Sequence, residues 1–539
     1  MSKRRPKSSY WQDAPLPRDQ LVLFDETLEH RIPEDHPVRI LDEILSLLDW
    51  NEWEADYNGK VGQPPIHPSL MCKVLLFAVI RRIRSSRQIE YNLRHSIDFI
   101  WLASGRAIDH ATLSEFRRKH PKQLKSIYRQ LVQLAINLGV AKLSELCIDG
   151  TQVLANASRF NTLTAENVEP LLAQLDQQIT VAMSELETND QLDSLFDDGQ
   201  SADQLPAELR DMKSRQAQLS AALEQLHKMD KQRQCDGINP KKNPAQLPRV
   251  DPDSRVLPNK EGGFAPNYTP MVVTETESGF IVGADVLIGI VEHTSMTPMI
   301  DAIESDFGET PETMIGDGVY GTGPNLTEME AREIELLSPP NQEEKKNNPA
   351  LREDPTQPVA DEHLDDLPLN PQTKCFGKQA FVYDELADCY YCPAGKLLSR
   401  KGTSKARRQG IAIELVNYLC RECLGCPLAQ RCRTNPSSQH GRKVSRDGFE
   451  GVRHRHRQRM QKEDAKERYK RRQHYAETPF AVLKAAWGVR RFLLRGLTGV
   501  QQEWLWACTA FNMKKLMSMW KALRAKANEM NEMGIAGAI

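Results

Sequence analysis

The chain of 539 residues lacks any apolar run that approaches the about 20 residues needed to span a membrane. Its N-terminal segment, MSKRRPKSSYWQDAPLPRDQ, contains basic residues with no apolar stretch after them, which does not fit a secretory signal peptide. We therefore expect a soluble, cytoplasmic protein. Its composition, 40% hydrophobic and 27% charged, is ample for a core and predicts several structural units.

The chain also lacks an excess of either charge, because its formal net charge is only −2. The distribution is nevertheless uneven. Between Arg442 and Arg495 there are 17 Lys and Arg against 6 Asp and Glu, a local balance of 17 − 6 = +11. A basic block of this size indicates either a contact with a polyanion or a solvated helix surface.

The cysteines do not predict disulfides, since disulfides are rare in cytoplasmic proteins. Of the 11 cysteines, Cys72, Cys147 and Cys508 sit in apolar runs and fit ordinary buried thiols. Six others have metal-ligand spacing: Cys389-x2-Cys392, Cys420-x2-Cys423-x2-Cys426 and Cys432. Four thiolates can bind zinc tetrahedrally and stabilise a segment that has little core. The spacing leaves open which four bind, and reduced thiols without metal are the alternative.

The N-terminal region, residues 20–135, has the apolar periodicity of helices. One helix is predicted from Ser69 to about Arg84. A later helix is predicted to begin at SEFRRKH, after a capping-box spacing from Thr112 to Glu115, with basic residues near its N-terminal end. Short helices with a basic late helix are typical of a helix-turn-helix DNA binder. A plain helical bundle with a solvated basic face is the competing interpretation.

Two short apolar runs carry acids at their ends and predict buried strands. The first ends in Asp149-Gly150 and the second in Asp317-Gly318. Between them, residues 165–235 have the periodicity of a helical hairpin. Residues 341–370 are polar and Pro-rich and predict a mobile linker. A long basic helix is expected from about Gly448, followed by an apolar helix. This alternation of strands and helices predicts an α/β core.

An acid at the end of a buried strand is costly unless it is paired or binds a cation. Asp149, Asp317 and a helical acid, Glu477, could together hold two hard divalent cations, about 4 Å apart, for phosphoryl transfer. Glu477 and Lys484 are about two helical turns apart and so share one face. Pro479 places Glu477 at or just before the first turn of its helix. The alternatives are capping acids and an exposed ion pair.

Four stretches resemble bacterial insertion-sequence transposases of the DDE class, in the group with a Tyr-Arg-Glu-Lys signature. IDGTQVLANAS resembles the first-Asp strand, MIGDGVYG the second-Asp strand and ETPFAVLKAAWGVRRFLLRG the Glu helix. PPIHPSLMCKVLLFAVI and IDHATLSEFRRKH resemble the N-terminal domain of such enzymes. One departure concerns the signature Tyr and Arg positions, which hold Lys470 and Gln473. Tyr469 and Arg472 lie one residue further from Glu477, which turns a helical side chain by about 100°.

The resemblance implies an RNase H-like core with Asp149, Asp317 and Glu477 as catalytic residues and ligands of two Mg²⁺ or Mn²⁺ ions. It implies cleavage and strand transfer at the ends of an insertion sequence, with terminal inverted repeats and target DNA as partners. It also implies a homodimer on DNA in a bacterial, nucleoid-associated setting. For zinc, it favours Cys392, Cys423, Cys426 and Cys432. The residues expected to bind DNA are Lys484, Arg472, Arg471, Arg490, Arg491, Arg117, Arg118 and Lys119, with Arg468 a further candidate for phosphate contact.

The predicted domains are a helical DNA-binding domain (1–140), the first part of the core (141–340, with its helical insertion at 165–235), a linker with the cysteine-rich zinc insertion (341–445), and the Glu helix with C-terminal helices (446–539). Two other functions remain open. An RNase H-like nuclease or resolvase would cut DNA without joining it. A transposon-derived DNA-binding protein would be catalytically silent, which the presence of all three carboxylates in order argues against.

Overall fold

The computed structural model of the chain describes residues 27–57, 65–193, 207–235, 238–259, 262–340, 347–408 and 411–532. The fold mixes α-helices with several β-sheets, as the sequence predicts. The chain divides into two compact units, Met1–Phe116 and Arg117–Ile539. Among the described residues, no helix combines the length and the apolarity that crossing a membrane requires.

The first unit is helical. Its elements are α1 (Pro37–Ser46), α2 (Asn51–Ala55), α3 (Pro68–Ile80), α4 (Ser86–His95), α5 (Ile97–Leu102) and the greater part of α6 (His110–Lys119). Its core is aromatic as well as aliphatic: the rings of Trp53 and Phe116 stack with centroids 5.1 Å apart, and those of Phe77 and Phe99 are also 5.1 Å apart.

Helix α6 begins earlier than the sequence predicted. The Asp109 carboxylate accepts hydrogen bonds from the backbone N–H groups of Ala111 and Thr112, both at 2.9 Å, and so caps the helix. The basic residues 117–119 therefore form the last turn of α6, and the prediction that they lie near its N-terminal end is wrong. Positive charge at a helix C-terminus is favoured by the helix dipole.

The second unit opens with α7 (Pro121–Asn137) and continues into a mixed sheet. The elements that follow are β1 (Glu145–Gly150), β2 (Val153–Leu154), β3 (Thr162–Leu163), α8 (Ala165–Asp193), α9 (Ala207–Cys235), β4 (Leu247–Pro248), β5 (Arg255–Pro258), β6 (Phe264–Glu275), β7 (Ile281–Leu287), α10 (Met296–Phe307), β8 (Thr313–Ile315), α11 (Gly323–Ala331) and β9 (Glu335–Leu337). Within the described residues, seven of these strands share one sheet. Its central order is β6-β1-β8-β9, and β2, β5 and β7 also pair with β6.

Strand direction in this sheet determines where the candidate acids lie. Strand β1 is parallel to β8 and antiparallel to β6, and β7 is antiparallel to β6 on its other side. Strands β1, β7 and β8 therefore run in the same direction, and their C-terminal ends lie at the same edge of the sheet.

Helices α8 and α9 form the predicted antiparallel hairpin. Gln216 on α9 donates to Asp176 on α8, and His227 lies 3.5 Å from Glu169, so residue numbers rise along one helix as they fall along the other. Leu226 and Val168 are buried between the helices. The sequence Asp197-Asp-Gly-Gln-Ser201 predicts the break between the two helices, and it lies outside the described residues.

The cysteine-rich segment is a small antiparallel sheet. Its elements are β10 (Val382–Asp384), β11 (Cys389–Tyr391), β12 (Leu397–Arg408), β13 (Ile411–Cys420), the short helix α12 (Ala429–Cys432) and β14 (Lys443–Asp447). The mobile-linker prediction is wrong for residues 347–370. Ala350, Val359, Leu364 and Leu367 are buried and join the core of this sheet, because a few apolar residues in a polar stretch are enough to anchor it. Residues 341–346 of that prediction lie outside the described residues.

The C-terminal part contains α13 (Glu450–Gln461), α14 (Glu463–Phe480), a π-helical segment Ala481–Ala486, and α15 (Leu497–Glu532). Glu477 lies in the last turn of α14, so the prediction that it precedes or begins a helix is wrong. Pro479 lies inside α14 and is followed by the π-helical turn. A proline removes one N–H and crowds the preceding turn, and a wider turn accommodates this without ending the helix.

Candidate active site

Two aspartates lie at the same edge of the main sheet. Asp149 occupies the penultimate position of β1, where it pairs with Val272 of β6. Asp317 follows the parallel neighbour β8 by two residues, and its Oδ1 accepts a hydrogen bond from the Val319 N–H at 2.9 Å. Both aspartates are half-buried. The predicted strand thus carries Asp149, whereas Asp317 lies two residues beyond the end of its strand, and the C-terminal ends of the parallel strands β1 and β8 meet here.

Helix α14 is fixed against the sheet by an apolar seam and by one arginine. Cys147, Ile315 and Leu337 on the sheet pack with Ala465 and Ala476 of α14. This seam turns one face of α14 toward the strands and holds its last turn, which carries the third candidate acid, beside their C-terminal edge.

Arg468 completes the attachment of α14. Its guanidinium lies 2.6 Å from a carboxylate oxygen of Glu145 and 2.7 Å from one of Glu335, and it also donates to Thr313 Oγ1 at 2.7 Å. Thus Arg468 joins α14 to the starts of β1, β8 and β9. These contacts give Arg468 a structural role, and nothing in the described part of the structure supports the phosphate contact for which it was a candidate.

The three candidate acids line one cleft of about 800 Å³, together with Lys484 and Arg472. Glu477 is exposed. The ammonium of Lys484 donates to Thr151 Oγ1 at 3.0 Å and to the Gln152 carbonyl at 2.8 Å, which fixes it beside the loop after Asp149. Glu477 and Lys484 therefore line the same cleft as both aspartates, although Lys484 belongs to the π-helical segment and not to the regular α-helix that the prediction assumed.

Arg472 is the closest cationic partner described for Asp149. Its Nη2 lies 3.1 Å from Asp149 Oδ1, and only about 15% of either side chain is exposed. Burial is the largest single effect and lowers the pKa of the guanidinium, but Asp149, Cys147, Tyr469 and Asp317 together raise it by more, so the net pKa is raised. The one-residue displacement from the signature position thus still brings this arginine to the edge of the sheet that holds the candidate acids.

Sequence reasoning missed two groups in this region. Glu292 lines the same cleft, and the fully buried Tyr320 lies close enough to the acids for their charges to act on it. Burial, followed by the charges of Glu292, Asp149 and Asp317, raises the pKa of Tyr320. An available signal was the position of Glu292 just after an apolar strand, the same pattern that revealed the aspartates.

A hydrogen-bonded path also supports the Asp317 loop from the side of α13. The Ser338 hydroxyl donates to the Asp317 carbonyl at 2.7 Å. The Ser338 carbonyl in turn accepts a hydrogen bond from Nε2 of the buried His456 at 2.8 Å. His456 therefore links α13 to the backbone of a candidate catalytic residue.

The carboxylates suit a hard divalent cation by donor type, since all are oxygen ligands. In the described part of the chain, however, no group of three or more His, Cys, Asp or Glu is arranged to hold a metal ion. The predicted two-metal site therefore stays a prediction. In the structure, the carboxylate of Asp149 forms an ion pair with the guanidinium of Arg472, which supplies the positive charge that a metal ion would otherwise provide.

Two family models match the chain. One, described as a transposase DDE domain, covers residues 391–517 and includes Glu477 and Lys484. The other, described as a transposase domain (DUF772), covers residues 26–119 and includes the N-terminal helices. Both matches support an insertion-sequence DDE transposase. The predicted family is thereby confirmed, and the DDE domain implies in general an enzyme of DNA cleavage or transposition that binds DNA. No curated protein matches the chain significantly.

The cysteine-rich segment gathers thiols around a small cavity. Its lining includes Cys392, Cys420, Cys423, Cys426 and Cys432, whereas Cys389 does not line it. Two backbone N–H groups point at sulfur: Lys396 N lies 3.3 Å from Cys392 Sγ, and Arg442 N lies 3.2 Å from Cys423 Sγ. The Lys396 N–H lowers the pKa of the Cys392 thiol, but burial is the larger effect and raises it. The zinc assignment itself stays a prediction, because the thiols of the described residues likewise form no group arranged to hold a metal ion.

The remaining residues expected to bind DNA fall in different places. Arg490 and Arg491 are exposed on a segment that pairs with Leu154 just after the Asp149 loop. Arg471 is exposed on α14, where it pairs with Glu467. In the last turn of α6, residues 118 and 119 are exposed, but Arg117 is half-buried and its carbonyl accepts from Trp506.

Proposed function

We propose that this chain catalyses divalent-metal-dependent cleavage and strand transfer at the ends of an insertion sequence, with Asp149, Asp317 and Glu477 as the catalytic carboxylates. The observation that carries this proposal is their convergence on one cleft from β1, from the loop after β8 and from the last turn of α14. The cleft opens to solvent and has a volume of about 800 Å³, which supports access for a phosphate group of DNA.

The donor set fits the implied metal. Divalent ions held by these oxygens would activate a water, and later a 3′-hydroxyl, and would stabilise charge on the reacting phosphate. The side chains of the protein would position and neutralise the reacting phosphate. Lys484 and Arg472 place positive charge beside the carboxylates, where a scissile phosphate would lie, and the half-buried aspartates are held by strand ends that cannot shift independently.

The sheet order supports an RNase H-like core. Strands β7, β1, β8 and β9 run in one direction and β6 alone opposes them in the central part of the sheet. We retain the domain limits at 140, 340 and 445, and the helical insertion at 165–235, as part of the proposal. Terminal inverted repeats and target DNA are the proposed substrates, bound by a dimer.

We also propose that Cys392, Cys423, Cys426 and Cys432 hold a structural zinc ion. The small thiol-lined cavity, the two N–H groups directed at sulfur and the small core of this sheet support it. Cys420 also lines the cavity and is the alternative ligand.

The decisive experiment compares wild type with Asp317→Asn on DNA that carries candidate terminal repeats. Asp317→Asn removes a ligand charge at nearly constant shape, so cleavage and joining should be lost while binding to the ends persists. Asp211→Asn, an exposed position on α9, is the matched control and should retain both reactions. Cleavage without joining in wild type would identify a nuclease or resolvase. Binding without either reaction would identify a silent DNA-binding protein.

A further inference from the structure

A fourth carboxylate, Glu292, reaches the candidate active site from a part of the chain that carries no signature motif. It is the first residue of a 3-10 turn, Glu292–Ser295, which leads directly into α10. This turn follows β7, whose direction matches that of β1 and β8. Glu292 thus stands after the C-terminal end of a third strand at the same sheet edge, in the same topological position as Asp317.

The geometry at Gly150 shows how close this carboxylate comes to the residue that follows Asp149. A β-carbon added to Gly150 would lie 2.8 Å from the carboxyl carbon of Glu292 and 2.9 Å from its Oε2. Both distances are well inside van der Waals contact. The Glu292 carboxylate therefore rests on the backbone of residue 150, immediately beside the first catalytic aspartate, and the absence of a side chain at Gly150 makes room for it.

A second, independent observation comes from Tyr320. Its side chain is fully buried, and its hydroxyl has no hydrogen-bond partner among the described residues. A buried hydroxyl normally has one, and an exception calls for a bound water or ion. The negative charges of Glu292, Asp149 and Asp317 act on this hydroxyl, and the positive charge of Arg472 opposes them. An orphan donor that lies near these carboxylates is suited to a water that a cation between them would hold.

The charge balance of the cleft also favours the binding of a divalent cation. Three carboxylates offset by Arg472 and Lys484 leave a formal charge of −3 + 2 = −1. With Glu292 the balance becomes −2, which matches the charge of one divalent ion. The carboxylate of Glu292 makes the site attractive to a dication even while both basic side chains remain in place.

We propose that Glu292 belongs to the cation-binding set of the active site and strengthens the binding of divalent metal beside Asp149. The inference rests on the proposed function, since it requires Asp149 and Asp317 to be metal ligands. Tyr320 acts in support, as a hydrogen-bond donor to water in the same site.

The test is Mn²⁺ binding to the full-length protein without DNA, measured by isothermal titration calorimetry and by loss of the free-ion electron paramagnetic resonance signal. Glu292→Gln should weaken Mn²⁺ binding about tenfold or more, the scale on which metal sites respond to the removal of supporting groups. Glu304→Gln, an exposed position on α10, is the matched control and should bind Mn²⁺ as wild type does. Asp149→Asn is the positive control and should also weaken binding.

The outcomes separate the two proposals. Weakened binding in Asp149→Asn but not in Glu292→Gln would overturn the role of Glu292 and leave the proposed function standing. Unchanged binding in both would overturn the metal site itself. Should Glu292→Gln fail to fold, Glu292→Asp retains the charge but withdraws the carboxylate from Gly150. It should bind Mn²⁺ more weakly than wild type, and wild-type affinity in that variant would contradict the inference.

Discussion

The guanidinium of Arg472 lies 3.1 Å from the carboxylate of Asp149, and each side chain is about 15% exposed or less. This pair joins α14 to β1 at the edge of the sheet that holds the candidate acids. A divalent ion bound at Asp149, as proposed above, would compete with the Arg472 guanidinium for the same carboxylate. Stability and metal binding should therefore be coupled at this position.

Arg472→Gln should lower the free energy of unfolding in metal-free buffer by about 1–3 kcal/mol. This is less than for a fully buried pair because both side chains keep some exposure to solvent. Added Mn²⁺ should recover more stability in Arg472→Gln than in wild type, since the ion replaces the missing positive charge. Thermal unfolding with and without Mn²⁺ measures both effects. Arg471→Gln, its exposed neighbour on α14, should change neither; an equal effect in both variants would contradict the specific pairing.

Cys423→Ser should release zinc, whereas Cys389→Ser should keep it. The reason is that Cys423 lines the cavity and accepts from the Arg442 N–H, while Cys389 lies on β11 and does not line the cavity. Elemental analysis of the purified variants measures zinc per chain, expected at about one in wild type for a four-thiolate site. Zinc-free wild type would reduce the cluster to ordinary thiols. Loss of zinc in Cys420→Ser with retention in Cys432→Ser would move the assignment to Cys420.

His456 should make the fold sensitive to mildly acidic pH. Burial lowers its pKa, and Arg459 and Arg457 lower it further, against the opposing effects of the Ser338 hydrogen bond and Glu330. The imidazole is thus neutral when folded but becomes protonated near its ordinary pKa of about 6.5 when unfolded. Its stabilisation is complete above that pH and is lost as the pH falls below it toward the lowered folded pKa.

Urea unfolding midpoints at pH 7.5 and pH 5.5 test this sign. Wild type should lose stability between the two values, and His456→Gln should lose less, because glutamine can still donate to Ser338 and does not titrate. His454→Gln, an exposed site on the same helix, should behave as wild type. A pH response that is unchanged in His456→Gln would assign it to other groups.

Replacing Arg118 and Lys119 together by Ala should weaken binding to transposon ends. It should also flatten the dependence of affinity on salt by up to about 0.9 in slope for each DNA phosphate that the protein no longer neutralises. These two exposed residues are preferable to the half-buried Arg117, whose replacement would also disturb packing. Fluorescence anisotropy over a salt series measures affinity and slope, with Asp317→Asn as the binding-competent control. An unchanged slope would shift recognition to the exposed Arg490 and Arg491.

The sequence by itself determined the candidate acids and their order. Asp149 and Asp317 could be found because each ends a short apolar run, and a charge at such a place needs a local physical reason. The cysteine cluster could be found for a similar reason, since ligand spacing is local. Predictions failed where a local signal competed with another. The Asp109 cap overrode the later start predicted for α6, and a π-helical turn allowed α14 to continue through Pro479.

Tertiary structure alone decided which groups surround these acids. The pairing of Arg472 with Asp149 joins residues 323 positions apart (472 − 149), and no periodicity in either segment encodes it. Glu292 reaches Gly150 only because β7 and β1 run parallel on the two sides of β6, a matter of sheet topology. Residues 347–370 became ordered for the same reason: their few apolar side chains gain stability only from the strands they meet. Local features such as strand-end acids and cysteine spacing can be recognised in the sequence. Contacts between distant segments form only when the chain folds and brings those segments together.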